Sequence, residues 1–92
     1  MALFLMLGRY SPEAIKSISK DRTEKVVSLI QKNGGKVRNM LALLGRYDLA
    51  FIVELPGITE AINTSVAITK LTGIGFATFP GITVEEFDKA IS

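Results

Sequence analysis

The chain of 92 residues contains no cysteine, no histidine and no tryptophan. Without cysteine it can form neither a disulfide framework nor a redox-active thiol, and cytoplasmic residence is the simplest interpretation. Without histidine it also lacks the commonest general base and the commonest zinc ligand. No glycine-rich nucleotide motif, metal-spaced cluster or nucleophile elbow occurs, so the sequence predicts no metal site and no cofactor.

Long hydrophobic runs and a strong charge of one sign are also missing. Hydrophobic residues make up 48% of the chain, yet its apolar segments are too short for a membrane span, so we expect a soluble globule without membrane contact. The net charge is only +2, although eight of the 11 lysines and arginines fall in residues 1–38. Nucleic-acid binders usually show a stronger basic excess with interleaved aromatics, so we interpret this basic group as a solvated helix face.

What the sequence does contain is a succession of short apolar strands and amphipathic helices. A Ser-Pro pair starts the first helix, and a D-x-x-E pattern at Asp21 predicts a break and a second start. One unbroken helix there would be about 33 Å long, which is longer than the predicted strands that it would cover. The predicted order is strand 2–7, helix from Ser11 with a break near 19–22 and an end at Gly34, strands 36–44 and 49–55, helix from Thr59 to Gly73, strand 74–79, and a short helix from Thr83 to about Ala90.

This order, βαββαβ with an added C-terminal helix, predicts a single ferredoxin-like α+β domain over residues 1–92. In that fold a four-stranded antiparallel sheet carries its helices on one face. The strands are apolar on both faces, whereas a sheet with one solvated face should alternate. We therefore expect a homodimer in which two sheets pack face to face around a barrel-like core, with further assembly left open. The competing explanation is that the C-terminal segment 82–92 folds over the second face, although one short helix could shield only part of it.

The segment LGRY occurs twice, at residues 7–10 and 44–47, each time where a predicted strand ends. Strands one and two leave a βαβ unit in parallel, so both copies should lie at one edge of the sheet. A helix N-terminus at the same edge favours an anion. The candidate site for a small anionic or aromatic metabolite consists of Arg9, Tyr10, Ser11, Arg46, Tyr47 and Asp48.

The same residues have an explanation that requires no ligand. Glycine, tyrosine and aspartate at strand ends can serve bulges, core cover and turns. Arg22, a secondary candidate because it falls in an apolar helix stripe, would then bond a nearby backbone or acid. Glu54, the other secondary candidate, could be a buried carboxylate, or could be an edge residue in a salt bridge.

Several segments together resemble the GYD domain family, whose signature would be Gly45, Tyr47 and Asp48 with Arg46 between. The resemblance runs from about residue 3 to residue 87 and is carried by Tyr10-Ser11-Pro12-Glu13, Ile15-Lys16, Asp21-Arg22, Gly34-Gly35-Lys36-Val37, Leu44-Gly45-Arg46-Tyr47-Asp48 and Thr83 with Glu85-Glu86-Phe87. It implies a ferredoxin-like domain of the dimeric α/β-barrel group. Related barrels include ligand-binding regulators, cofactor-free monooxygenases and haem-handling proteins, so the resemblance implies no single reaction.

Three functions follow as alternatives. The first is a non-catalytic, homodimeric small-ligand-binding or regulatory module. The second is a cofactor-free monooxygenase or isomerase that uses Tyr10 or Tyr47 with Asp48 or Glu54. The third is a purely structural assembly domain, which predicts a covered sheet face and no cavity.

Overall fold

The structure, a computed structural model, describes all residues from Met1 to Ser92. Its elements are β1 (Ala2–Arg9), α1 (Pro12–Lys16), α2 (Lys20–Lys32), β2 (Lys36–Ala42), β3 (Leu49–Leu55), α3 (Ile58–Thr72), β4 (Gly75–Gly81) and α4 (Val84–Ile91).

The four strands form one sheet in the order β2-β3-β1-β4, and every neighbouring pair is antiparallel. The ferredoxin-like α+β fold predicted from the sequence is thereby confirmed. Helices α2 and α3 cover one face of the sheet, where they bury the alternate strand residues that point toward them. The resulting core consists of Phe4, Met6, Phe51, Val53 and Leu55 from the sheet with Val26, Ile30, Ala61 and Ile68 from the helices.

The predicted break in the first helical segment is confirmed, but Asp21 does not start the second helix. Ser19 does, since its hydroxyl accepts the Arg22 N–H at 3.0 Å, and Asp21 instead forms an exposed ion pair with Lys25. The prediction that Thr59 caps α3 is also wrong, because Gly57 occupies that position without a side-chain bond. The predicted ends at Gly34 and Gly73 hold, and both residues have the positive φ that glycine tolerates.

Several strand boundaries differ from the predicted ones. Strand β1 continues to Arg9 rather than ending at residue 7, and β4 begins at Gly75 rather than at residue 74. Strand β2 ends at Ala42 rather than at residue 44, and a six-residue loop over 43–48 joins it to β3. Strand β4 continues through Pro80 to Gly81 instead of stopping before them. The reason is its place at the edge of the sheet, where a residue without an N–H donor removes no bond from a neighbouring strand.

The face of the sheet turned away from the helices has an apolar centre, and the Glu54–Arg38 ion pair lies on its β2 side. Leu5 lies at its centre between Ile52 on β3 and Phe79 on β4, and the Leu5 and Phe79 side chains remain 38% and 48% exposed. We call this surface the open face; it also carries Leu3 and Leu7. No helix of the chain is both long and apolar enough to cross a membrane.

Candidate functional site

Asp48 joins the two LGRY segments. Its Oδ2 accepts the Tyr10 backbone N–H at 2.8 Å, and its own backbone N–H donates to the Gly8 carbonyl, also at 2.8 Å. Its carbonyl accepts the Leu43 N–H and so closes the β2–β3 loop. One half-buried carboxylate therefore fixes the end of β1 against the loop from a position 38 residues away in the sequence.

Ser11 extends this junction into the first helix. Its hydroxyl accepts the Ala14 N–H at 3.0 Å, which is the N-cap bond of α1. Because Tyr10 is tied at its backbone by Asp48 and followed by this cap, its ring is directed toward α2 with little freedom at the main chain.

Arg22 meets that ring from the first turn of α2. Its Cζ lies 5.6 Å from the centre of the Tyr10 ring, within range of a cation–π contact. Its Nη1 donates to the carbonyl of Ala14, the buried residue of α1. The guanidinium is thus held by an aromatic face and one backbone oxygen, and its remaining N–H donors have no protein acceptor.

A cavity of about 180 Å³ opens beside this pair, between α2 and the adjoining ends of β2 and β3. Most of its wall is hydrophobic, and Arg22 provides its only charged side chain. It is lined by Tyr10, Ile18, Arg22, Thr23, Val26, Met40, Leu41, Ala42, Leu49, Phe51 and Ile74. We call this space the Arg22 cavity.

The other predicted site residues lie outside it. Arg9 and Arg46 are exposed, and Tyr47 is half-buried in the loop between β2 and β3. Neither arginine is paired with Asp48. Of the predicted residues, only Tyr10 and Arg22 line the cavity. Asp48 and Ser11 fix the main chain around Tyr10 from outside it, and Arg9, Arg46 and Tyr47 contribute nothing to its wall.

Glu54 forms a salt bridge, which is one of the two roles that the sequence left open for it. Its carboxylate lies 3.3 Å from the Arg38 Nε across β3 and β2. It does not line the Arg22 cavity and lies four residues along β3 from Ala50, which pairs with Leu41.

Sequence reasoning did not identify the apolar wall of this cavity. Met40, Val26 and Phe51 look like ordinary core residues, and only the tertiary packing leaves a space among them. The one signal available was a charged residue within the apolar stripe of α2, at Arg22.

The sequence profile of the GYD domain matches residues 4–91. The chain belongs to the GYD domain family. Gly45, Tyr47 and Asp48 stand where the sequence suggested the GYD signature, and of these Asp48 has the structural role described above.

Solved structures share the fold of this GYD domain. A crystal structure of the Mycobacterium tuberculosis leucine response regulatory protein LrpA superimposes with a TM-score of 0.59 at 5% identity, covering 89% of this chain and 51% of that one. A glutamate-to-alanine mutant of a second protein superimposes with a TM-score of 0.62 at 8% identity, covering 89% and 50%. The GYD domain thus spans about half the length of either protein, and comparison with curated proteins gave no match.

Proposed function

We propose that this GYD domain is a homodimeric regulatory module that binds a small organic acid in the Arg22 cavity. The observation that carries the proposal is the half-buried Arg22 guanidinium, which has free N–H donors and faces an otherwise hydrophobic space. Such a fork suits a carboxylate, which it can bind through two parallel hydrogen bonds. The surrounding wall suits an apolar body attached to that carboxylate.

The size of the cavity sets the size of the ligand. Its volume of about 180 Å³ slightly exceeds the roughly 150 Å³ of an engineered cavity that binds benzene. An acid with one aromatic ring or a branched chain of four to six carbons fits that limit. The fold shared with a leucine response regulatory protein supports a regulatory use of such a ligand.

The open face supports the homodimer. Leu5, Ile52 and Phe79 form one row across three strands, and monomers rarely expose a continuous apolar area of this kind. A second copy packed by a two-fold axis would cover it with the same residues. Light scattering should then give about twice the chain mass of 10.0 kDa.

Calorimetry and thermal shift with matched ligands test the binding site. Benzoate, phenylacetate, isovalerate and leucine should be compared with benzamide and isovaleramide, which keep the apolar body and lose the charge. We expect at least one acid to bind and its amide to bind at least tenfold more weakly, because the amide cannot form a charge-assisted pair.

Variants locate the binding. Arg22→Gln should weaken binding of the acid at least tenfold. Arg22→Lys should bind with an affinity between those of Arg22→Gln and wild type, because lysine keeps the charge but not the planar guanidinium. Arg46→Gln, at an exposed position, should bind the acid as tightly as wild type. Equal binding by Arg22→Gln and wild type would overturn the assignment. Loss of binding in Arg46→Gln alone would move the site to the LGRY strand ends.

A further inference from the structure

Helix α4 is formed but makes no extensive contact with the rest of its own chain. None of its eight residues is buried, and neither the sheet nor another helix packs extensively on it. Val84, Phe87 and Ile91 nevertheless follow one helical stripe, and they are 73%, 51% and 69% exposed. The molecule measures 48 × 30 × 18 Å, although a seven-residue strand spans only about 24 Å, as expected when α4 points away from the sheet.

A helix this short needs a docking surface. Isolated helices below about 12 residues are marginal in water, so α4 depends on packing of its apolar stripe. The helical face of the sheet is already filled by α2 and α3. In the proposed dimer the second sheet covers the open face, so the surface left for α4 is the rim of the pair, where an edge strand of the second copy lies.

We propose that α4 of one copy docks against the outer edge of strand β2 of a second copy, beside the stacked sheets, so that each copy gives one helix and receives one. This inference rests on the proposed homodimer. It adds to that dimer a defined contact, between α4 and the strand β2 of the other chain.

The register of the sheet places the two elements at the same height. Gly81, from which α4 departs, shares a cross-strand row with Leu3, Glu54 and Lys36, the first residue of β2. A two-fold axis parallel to the strands stacks the β4 edge of one sheet over the β2 edge of the other, within the angle of about 30° usual for packed sheets. The start of α4 then faces Lys36 of the second copy.

The charges of the two elements are complementary. Helix α4 carries three acids and Lys89, and Lys89 pairs with Glu85 at 3.4 Å, which leaves Glu86 and Asp88 without partners. Strand β2 carries Lys36 and Arg38 and no acid, and only Arg38 has an ion pair. These opposite charges favour contact between α4 and strand β2 of the second copy over contact between two elements of the same charge.

The open face measures roughly 450 Å² in projection, for four strands of about seven residues at about 4.8 Å between strands and 3.4 Å per residue. Two exchanged helices, each about 12 Å long and 10 Å wide, add surface where the sheets end.

Cysteine cross-linking tests the contact, because the native chain has no cysteine. Chains with Asp88→Cys are mixed with chains with Lys36→Cys and oxidised; the control mixture replaces Lys36→Cys with Lys25→Cys on the outer surface of α2. We expect covalent heterodimers in the first mixture, at least tenfold more abundant than in the control.

The outcomes separate the helix contact from the dimer itself. Particles of about twice 10.0 kDa without the cross-link would overturn the α4 contact and leave the dimer standing; particles of 10.0 kDa would overturn both. An intrachain disulfide in the double variant Lys36→Cys/Asp88→Cys would show that α4 folds on its own sheet and would also overturn the proposal.

A second measurement uses the dimer dissociation constant, followed by sedimentation. Phe87→Ala should raise it at least tenfold, since the ring lies at the centre of the proposed contact. The matched control is Ile62→Ala on the helical side, which is 58% exposed and should change it by less than twofold. Equal effects of the two variants would count against the α4 contact.

Discussion

Asp48 is the residue on which the candidate site depends most. Its carboxylate accepts the partly buried Tyr10 backbone N–H, and this is the one hydrogen bond that the donor makes. Asp48→Ala should therefore lower the free energy of unfolding by about 1–3 kcal/mol, the cost of an unpaired buried donor. Urea denaturation measures the change.

Two further variants separate the hydrogen bond from the charge of Asp48. Asp48→Asn keeps an acceptor oxygen and should lose less than half as much stability as Asp48→Ala. Asp21→Ala removes an aspartate whose only contact is an exposed ion pair, so it should stay within about 0.5 kcal/mol of wild type. An Asp48→Ala protein as stable as wild type would show that the junction is held by the backbone bonds alone.

The residue types at the strand ends were enough to predict that Tyr10 and Asp48 lie close together, but not how they meet. The sequence left Asp48 either in a ligand site or in a turn, and the structure directs its carboxylate to the main-chain N–H of Tyr10. That choice depends on the path of the 43–48 loop, where Gly45 adopts a φ of 125°. A loop path of this kind follows from tertiary contacts, and local residue preferences do not specify it.

At the scale of elements, the start of α2 couples stability to the Arg22 cavity. Ser19 caps the helix by accepting the Arg22 backbone N–H, and the Arg22 side chain lines the cavity. One residue, Arg22, therefore belongs both to the capped first turn and to the cavity wall. Ser19→Ala should cost about 1 kcal/mol in the free energy of unfolding. It should also weaken any acid bound at Arg22, because fraying of the first turn releases the guanidinium.

The control for this cap is Ser28→Ala, a change of the same chemistry at an exposed position inside α2. It should be neutral or slightly stabilising, since alanine is the better helix former. Urea denaturation of both variants gives the comparison. Equal destabilisation by the two changes would contradict the capping role of Ser19.

Most element boundaries could be predicted because glycine, proline and the capping residues act locally. The break between α1 and α2 followed from the D-x-x-E pattern at Asp21 together with the length of the strands, although the residue that caps α2 is Ser19. The continuation of β4 through Pro80 could not be predicted, because it depends on β4 being an edge strand. The end of β2 before Leu43 likewise depends on the loop that Asp48 closes.

At the scale of the whole molecule, the apolar strands predicted both the fold and a surface that needs cover. The fold is confirmed, and the open face is present with Leu5 at its centre. The sequence pattern did not predict that α4 lies away from its own sheet. A T-x-x-E start and an apolar stripe are equally compatible with a helix packed on that sheet. The position of α4 outside the sheet is what makes an exchange between copies worth testing.

Leu5→Glu tests whether the open face is the dimer interface. The side chain is 38% exposed in a single chain, so the variant should fold, with an unchanged circular dichroism spectrum. In a face-to-face dimer the two introduced carboxylates would be buried in apolar surroundings without partners, which costs several kcal/mol. Light scattering at micromolar concentration should then fall from about twice 10.0 kDa to 10.0 kDa. Ile62→Glu places the same charge on the exposed surface of α3 and should remain dimeric. A Leu5→Glu protein that stays at twice the chain mass would mean that the copies associate through another surface, and that the open face is covered in some other way.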